Sequence, residues 1–267
     1  MYQNHWEKCH KAVCSINFYG KTNSRILGLS GFRVGDMIIT DDEIYSISDF
    51  SEIRIIFYEA DGMKTFREIK FSSEEFISIL PPKSQFEALG VAYFIPDKEL
   101  LEGTSEFDLC TRCHSPIGKD AFTISYQPEQ HNIALNSALI SSNYINGRGH
   151  SYIQFDGTVR SGAGGGPLVD SASGKVLGIV SNKELKIFKT YKELLKTVEN
   201  NLKILEKVKD KWFIDEVDPV QVLIVNQNQI KHLSKEIFSN FAVKSGYALD
   251  VNHLKEHLEV ASDVDFD

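Results

Sequence analysis

The sequence predicts a mainly β protein of the barrel or sandwich class, with helices added late in the chain. Two observations carry this. Short runs rich in β-branched and aromatic residues recur along residues 12–181, separated by turn signals and without alternating helices. Beyond about residue 185 the apolar spacing changes from two residues to three or four.

The strand candidates run in order. Ala12 to Phe18 alternates and stops at Gly20. Ile26 to Phe32, Met37 to Thr40, Ile53 to Tyr58, Phe66 to Phe71 and Leu89 to Ile95 have strand length and strand composition. Gly20-Lys21, Val34-Gly35-Asp36 and Ala60-Asp61-Gly62 supply turns between them. Pro81-Pro82 marks a loop. Ala121 to Tyr126, Ile133 to Ser142, Tyr152 to Phe155, Gly166 to Asp170 and Val176 to Ser181 form a second set. Residues 98–118 link the two sets. From Phe188 to Trp212, Tyr191, Leu194, Leu195, Val198, Leu202, Leu205 and Val208 make the stripe of an amphipathic helix with a Lys/Glu-rich outer face. That stripe must be buried, against the β domain or against a partner, with Trp212 and Phe213 as aromatic anchors. Val220 to Val225 is too apolar to assign. Asn228 to Phe238 reads as a second helix, Gly246 to Val251 as a late strand, and Asn252 to Leu258 as a last helix.

The chain has 267 residues and a formal net charge of −8. An acidic balance disfavours nucleic acid and anionic membrane surfaces as partners, because both recruit basic patches. Residues 1–12 have no apolar leader core, and no run reaches the length of a membrane helix. Four cysteines in such a chain do not make a disulfide framework and read as reduced thiols of a cytosolic protein. Cys110 and Cys113 have the spacing of a zinc knuckle, and Cys9 and Cys14 would have to complete it. The bland alternative, unpaired buried cysteines, is favoured, so the expectation is no cofactor, with zinc as the minority reading.

Three segments, in order, resemble the bacterial branch of the trypsin-like peptidases. Ser30 to Thr40 (SGFRVGDMIIT) resembles the strand-turn-strand that precedes the catalytic histidine. Leu89-Gly90-Val91-Ala92-Tyr93-Phe94 resembles the strand that carries the triad aspartate. Gly162-Ala163-Gly164-Gly165-Gly166-Pro167-Leu168 resembles the nucleophile loop and continues into Gly178-Ile179-Val180-Ser181. The resemblance implies two six-stranded antiparallel β-barrels, at 10–97 and 119–258, joined by a linker at 98–118. A helical insertion at about 186–240 interrupts the second barrel.

The resemblance also implies a site, and each of its reactive positions is altered. Acyl transfer needs a hydroxyl nucleophile, a base and a carboxylate that orients the base. The matching positions hold Gly164, Glu43 and Gly90, and a one-residue shift restores none of them. Loss at all three points to a protein that has abandoned catalysis. The loop glycines persist, so the backbone amides at Gly162 and Gly164, with Gly165 beside them, are expected to remain as a remnant oxyanion site. The strand Gly178, Ile179, Val180 and Ser181 is expected to offer main-chain pairing to a bound peptide. The function expected is therefore binding of another protein or peptide, as a regulator or scaffold. An enzyme using unorthodox residues, and a zinc-stabilised subunit of a signalling or defence complex, are the alternatives.

Overall fold

The structure, a computed structural model, describes residues 2–82, 90–110, 115–147, 149–181, 186–211, 213–214, 217–239 and 242–252. The chain divides into a β unit, Met1–Asn182 with Ala242–Asp267, and a helical unit, Lys183–Phe241.

The β unit opens with helix α1 (Tyr2–Cys9), which the sequence reading leaves unassigned. Five strands follow: β1 (Val13–Tyr19), β2 (Arg25–Val34), β3 (Met37–Asp41), β4 (Glu52–Tyr58) and β5 (Thr65–Ser72). Helix α2 (Ser73–Ile79) comes next, then β6 (Val91–Phe94). Helix α2 was also unassigned, although its start is written in the sequence. Ser72 accepts from the Glu75 N–H while Glu75 reaches back to the Ser72 N–H, a reciprocal cap. The six strands form one antiparallel sheet in the order β5-β4-β1-β2-β3-β6.

After β6 comes a short turn at Lys98–Leu101. Leu101 is fully buried in the core of this sheet, Arg67 donates to the Glu99 carbonyl, and the Gly103 Cα lies against the Phe66 ring.

The second set is β7 (Asp120–Gln127), β8 (Asn132–Ile145), β9 (Ser151–Arg160), β10 (Pro167–Asp170), β11 (Val176–Val180) and β12 (Ala242–Asp250). It closes into a barrel in the order β10-β11-β12-β9-β8-β7. Closure removes both sheet edges, so every strand has two hydrogen-bonded neighbours. One core cluster runs across both sheets, uniting Phe32 and Ile39 with Phe122, Tyr126 and Val169. Helix α1 straps the same junction. The Trp6 indole donates to the Ala60 carbonyl at 2.8 Å, and the His5 ring donates to the Ser171 carbonyl at 2.8 Å.

Asp170 ends β10 as a buried carboxylate. Burial opposes its charge, but Ser173 Oγ at 2.7 Å, Lys119 Nζ at 3.0 Å and the Ala172 N–H at 3.2 Å outweigh it and hold its pKa below the ordinary value of 3.8. A depressed carboxylate pKa adds stability above the unfolded-state value and loses it as pH falls through the folded one. Asp170→Asn should thus cost about 1–2 kcal/mol at neutral pH. The penalty should shrink as the pH falls below about 4, read from melting temperatures between pH 7 and pH 3.

The helical unit contains α3 (Lys186–Val208) and α4 (Pro219–Ser239). The apolar stretch at 220–225 is the first turns of α4, not a strand. Asp218 decides this: its Oδ1 accepts the Val220 N–H at 2.8 Å, and Pro219 occupies the first helical position. The two helices pair antiparallel, with Lys231–Glu199 at 2.8 Å and Asn201–Gln227 at 3.3 Å. Helix is described at 251–252, and the rest of the last expected helix lies outside the described residues. No helix among the described residues is long and apolar enough to cross a membrane.

Candidate functional site

The site is built where the end of β3 meets the loop between β9 and β10. Thr40 at the end of β3 is fully buried, and its Oγ1 donates to the Ser30 carbonyl at 2.7 Å. Asp41 then caps a 3₁₀ turn, Asp42–Ser46, by accepting the Glu43 N–H at 2.8 Å. This turns the chain inward. Asp41 and Asp42 are 2% and 8% exposed, so two of the three consecutive acidic residues at 41–43 are buried and Glu43 is partly buried. The Asp42 N–H reaches the Gly90 carbonyl at 3.5 Å.

The glycine loop packs onto this edge. Its backbone shows an alternation. The Ala163 N–H donates to Arg160 at 3.1 Å, Gly165 to Val180 at 2.8 Å and Gly166 to Ala163 at 3.0 Å. Between them, among the described residues, neither the Gly162 nor the Gly164 N–H donates to any acceptor. Both residues are buried. An unmet buried N–H costs about 1–3 kcal/mol, so such pairs are retained where something else can accept from them.

Ser30 holds this arrangement, and sequence reasoning used it only as part of a motif. Its Oγ donates to the Gly162 carbonyl at 2.6 Å and accepts the Tyr126 N–H at 2.8 Å. Its own N–H donates to the Gly164 carbonyl at 3.0 Å. One buried serine thus clamps the carbonyls on either side of the free Gly164 amide. The signal that would have found it is the small polar residue inside an otherwise apolar strand.

The remaining candidates fall elsewhere. Gly178, Ile179 and Val180 pair with β10 on one side and β12 on the other, and the Ser181 N–H donates to the Tyr247 carbonyl. With both edges taken, this strand cannot accept an added one, which corrects the expected peptide groove. Residues 178–180 lie within the barrel wall, and residues 182–185 lie outside the described ones. Cys110 is disulfide-bonded, which corrects the expectation of four reduced thiols. A sulfur held in a disulfide is not the thiolate that zinc needs. Cys9 and Cys14 are buried and free, and burial pushes the Cys9 thiol up to about 12 and raises Cys14 as well. Neither is a thiolate at neutral pH, which removes both as nucleophiles and as ready ligands. Cys113 lies outside the described residues. Among the described residues no cluster of three metal-ligating side chains occurs. An apolar pocket of about 270 Å³ opens beside the 3₁₀ turn between Ile44, Phe50, Phe76 and Pro81. Its one ionisable group, the Tyr45 phenol, donates to the Pro81 carbonyl and is raised to about 12 by burial, so it keeps its proton.

With this geometry in place, comparison with known proteins is informative. Residues 89–179 match the profile of the trypsin-like peptidase domain. The fold is similar to that of the Rv3671c protease from M. tuberculosis. Its inactive form superposes with a TM-score of 0.54 at 14% identity, covering 97% of this chain and 93% of that one. Its active form gives 0.55 at 14% identity, covering 97% and 84%. No curated protein matches the chain. At that identity the structural likeness speaks for the fold alone. The chain has a chymotrypsin-like fold, and its residues 89–179 resemble a trypsin-like peptidase domain.

Proposed function

We propose that this chain is a trypsin-like fold without protease activity, and that it works by binding a peptide or protein partner. The observation that carries the reading is Gly164. It occupies the position that matches the nucleophile of the peptidase loop, and it has no side-chain atom that can attack a carbonyl. The positions matching the base and the orienting carboxylate hold Glu43 and Gly90, so the histidine–carboxylate pair that would activate a nucleophile is absent from those positions as well. The uncommitted Gly162 and Gly164 amides supply what is left: two donors suited to a carbonyl or carboxylate oxygen of an extended segment. Such binding needs no cofactor and no metal.

A fluorophosphonate probe and a broad library of fluorogenic peptides test the loss of catalysis. The wild-type chain should be neither labelled nor active, and Gly164→Ser alone should remain unlabelled because the matched base position holds Glu43 in place of a histidine oriented by a carboxylate. Labelling or turnover by the wild type would overturn the reading. A chain keeping only its oxyanion donors would fall about 10³-fold or more below an intact enzyme.

A further inference from the structure

Each helix of the helical unit carries two rows of residues at alternating steps of three and four. The inner row of α3 is Tyr191, Leu195, Val198, Leu202 and Leu205, and that of α4 is Val220, Ile224, Gln227, Lys231 and Ser234. These rows make the pairing within the hairpin. The second row of α3 is Leu194, Thr197, Asn201, Ile204 and Val208. The second row of α4 is Leu223, Asn226, Ile230, Leu233 and Ile237. None of these ten residues is charged. The apolar members are 41–61% exposed on α3 and 42–60% exposed on α4.

Both second rows open to the same side of the hairpin. Asn201 belongs to the second row of α3, and it reaches Gln227, the inner residue of α4 that is flanked by Leu223 and Ile230 one turn either way. Glu199 reaches Lys231 across the other flank. On that other flank stand Lys196, Lys203 and Lys207 of α3 and His232 and Lys235 of α4. The hairpin as a whole therefore has one uncharged face and one charged face.

A helix in an isolated hairpin needs one seam. A helix in a four-helix bundle needs two, because it packs against two neighbours. We propose that the uncharged face docks against the same face of a second copy of this chain, giving a two-fold four-helix bundle. Three features favour this occupant. The face has no charge to select an oppositely charged partner, so it is complementary to itself. Its asparagines, Asn201 and Asn226, suit polar pairing across a protein seam, where they would fix register, and not a lipid surface. Helices of 23 and 21 residues, about 30–35 Å long, present a face on the order of 600 Å². Two such faces bury about 1,200 Å², the lower bound for a stable specific interface.

Sedimentation of the full chain tests this. The wild type at about 10–100 μM should sediment at twice its 30.2 kDa chain mass. Ile230→Asp should be monomeric with unchanged helical circular dichroism. Val225→Asp, an exposed apolar residue outside both rows, should stay dimeric. Should Ile230→Asp lose helicity, crosslinking takes its place. Asn226→Cys should then form a covalent dimer under mild oxidation and Asn228→Cys should not, against a background in which Cys9 and Cys14 are buried. A wild type that remains monomeric at 100 μM overturns the proposal, whether or not it binds vesicles or another protein. So do a dimeric, helical Ile230→Asp variant and equal crosslinking of the two cysteine variants.

Discussion

Gly165→Ala should be the most damaging single methyl addition in the β unit, costing about 4 kcal/mol or more. Gly165 has φ of +84°, a conformation that L side chains rarely adopt, which alone costs about 1–2 kcal/mol. A Cβ there would also sit 2.3 Å from the Ser30 carbonyl oxygen, 2.6 Å from the Asp41 nitrogen and 2.6 Å from Thr40 Oγ1. Two of these three atoms are backbone and the third is locked in a buried hydrogen bond, so none can step aside cheaply. The expected drop in melting temperature is on the order of 10 °C for a domain this size. Calorimetry or thermal circular dichroism would measure it. A shift under about 2 °C would mean that the first sheet and the glycine loop are not packed this closely. Gly164, next to it, does not have a positive φ, so the backbone part of the penalty is absent there.

The contrast between these adjacent glycines shows what the sequence conveyed. Gly162 to Pro167 was legible as a loop because glycine and proline punctuate the backbone directly. Every one of the twelve observed strands overlaps a predicted one, because β-branched and aromatic runs bounded by turns encode strand length. Boundaries were less legible. Strand β9 runs on to Arg160, through Asp156 and Gly157, because β8 and β12 flank it on both sides. Helix α1 was invisible because its eight residues have little apolar stripe; it is held by Trp6 and His5 reaching partners 54 and 166 residues away. The site was legible only in part. That Glu43, Gly90 and Gly164 stand at the positions the resemblance matches to a triad can be read from letters. Which amides are free depends on acceptors at Arg160, Ala163 and Val180, and no local pattern records those.

Ser30→Ala should cost about 2–4 kcal/mol and should also impair partner binding, a pairing of effects that a merely structural residue would not give. The hydroxyl is fully buried and makes two hydrogen bonds, to the Gly162 carbonyl and from the Tyr126 N–H. Alanine leaves both backbone groups unmet inside the protein, at about 1–3 kcal/mol each, partly relieved by relaxation. Its backbone bond to the Gly164 carbonyl survives, so the loop keeps one of its two anchors and loses the one at Gly162. The Gly162–Ala163 peptide would then be held only by the Ala163 N–H on the Arg160 carbonyl, and the Gly162 and Gly164 amides that flank it would lose part of their common aim. Ser30→Thr retains the hydroxyl and adds a methyl group. If the hydroxyl is what matters, it should recover most of the binding even where packing costs some stability. The readouts are melting temperature and, once a ligand peptide is in hand, the dissociation constant for each variant. Loss of stability with unchanged affinity would show that the Gly162 amide plays no part in binding and would leave Gly164 as the sole donor of the site.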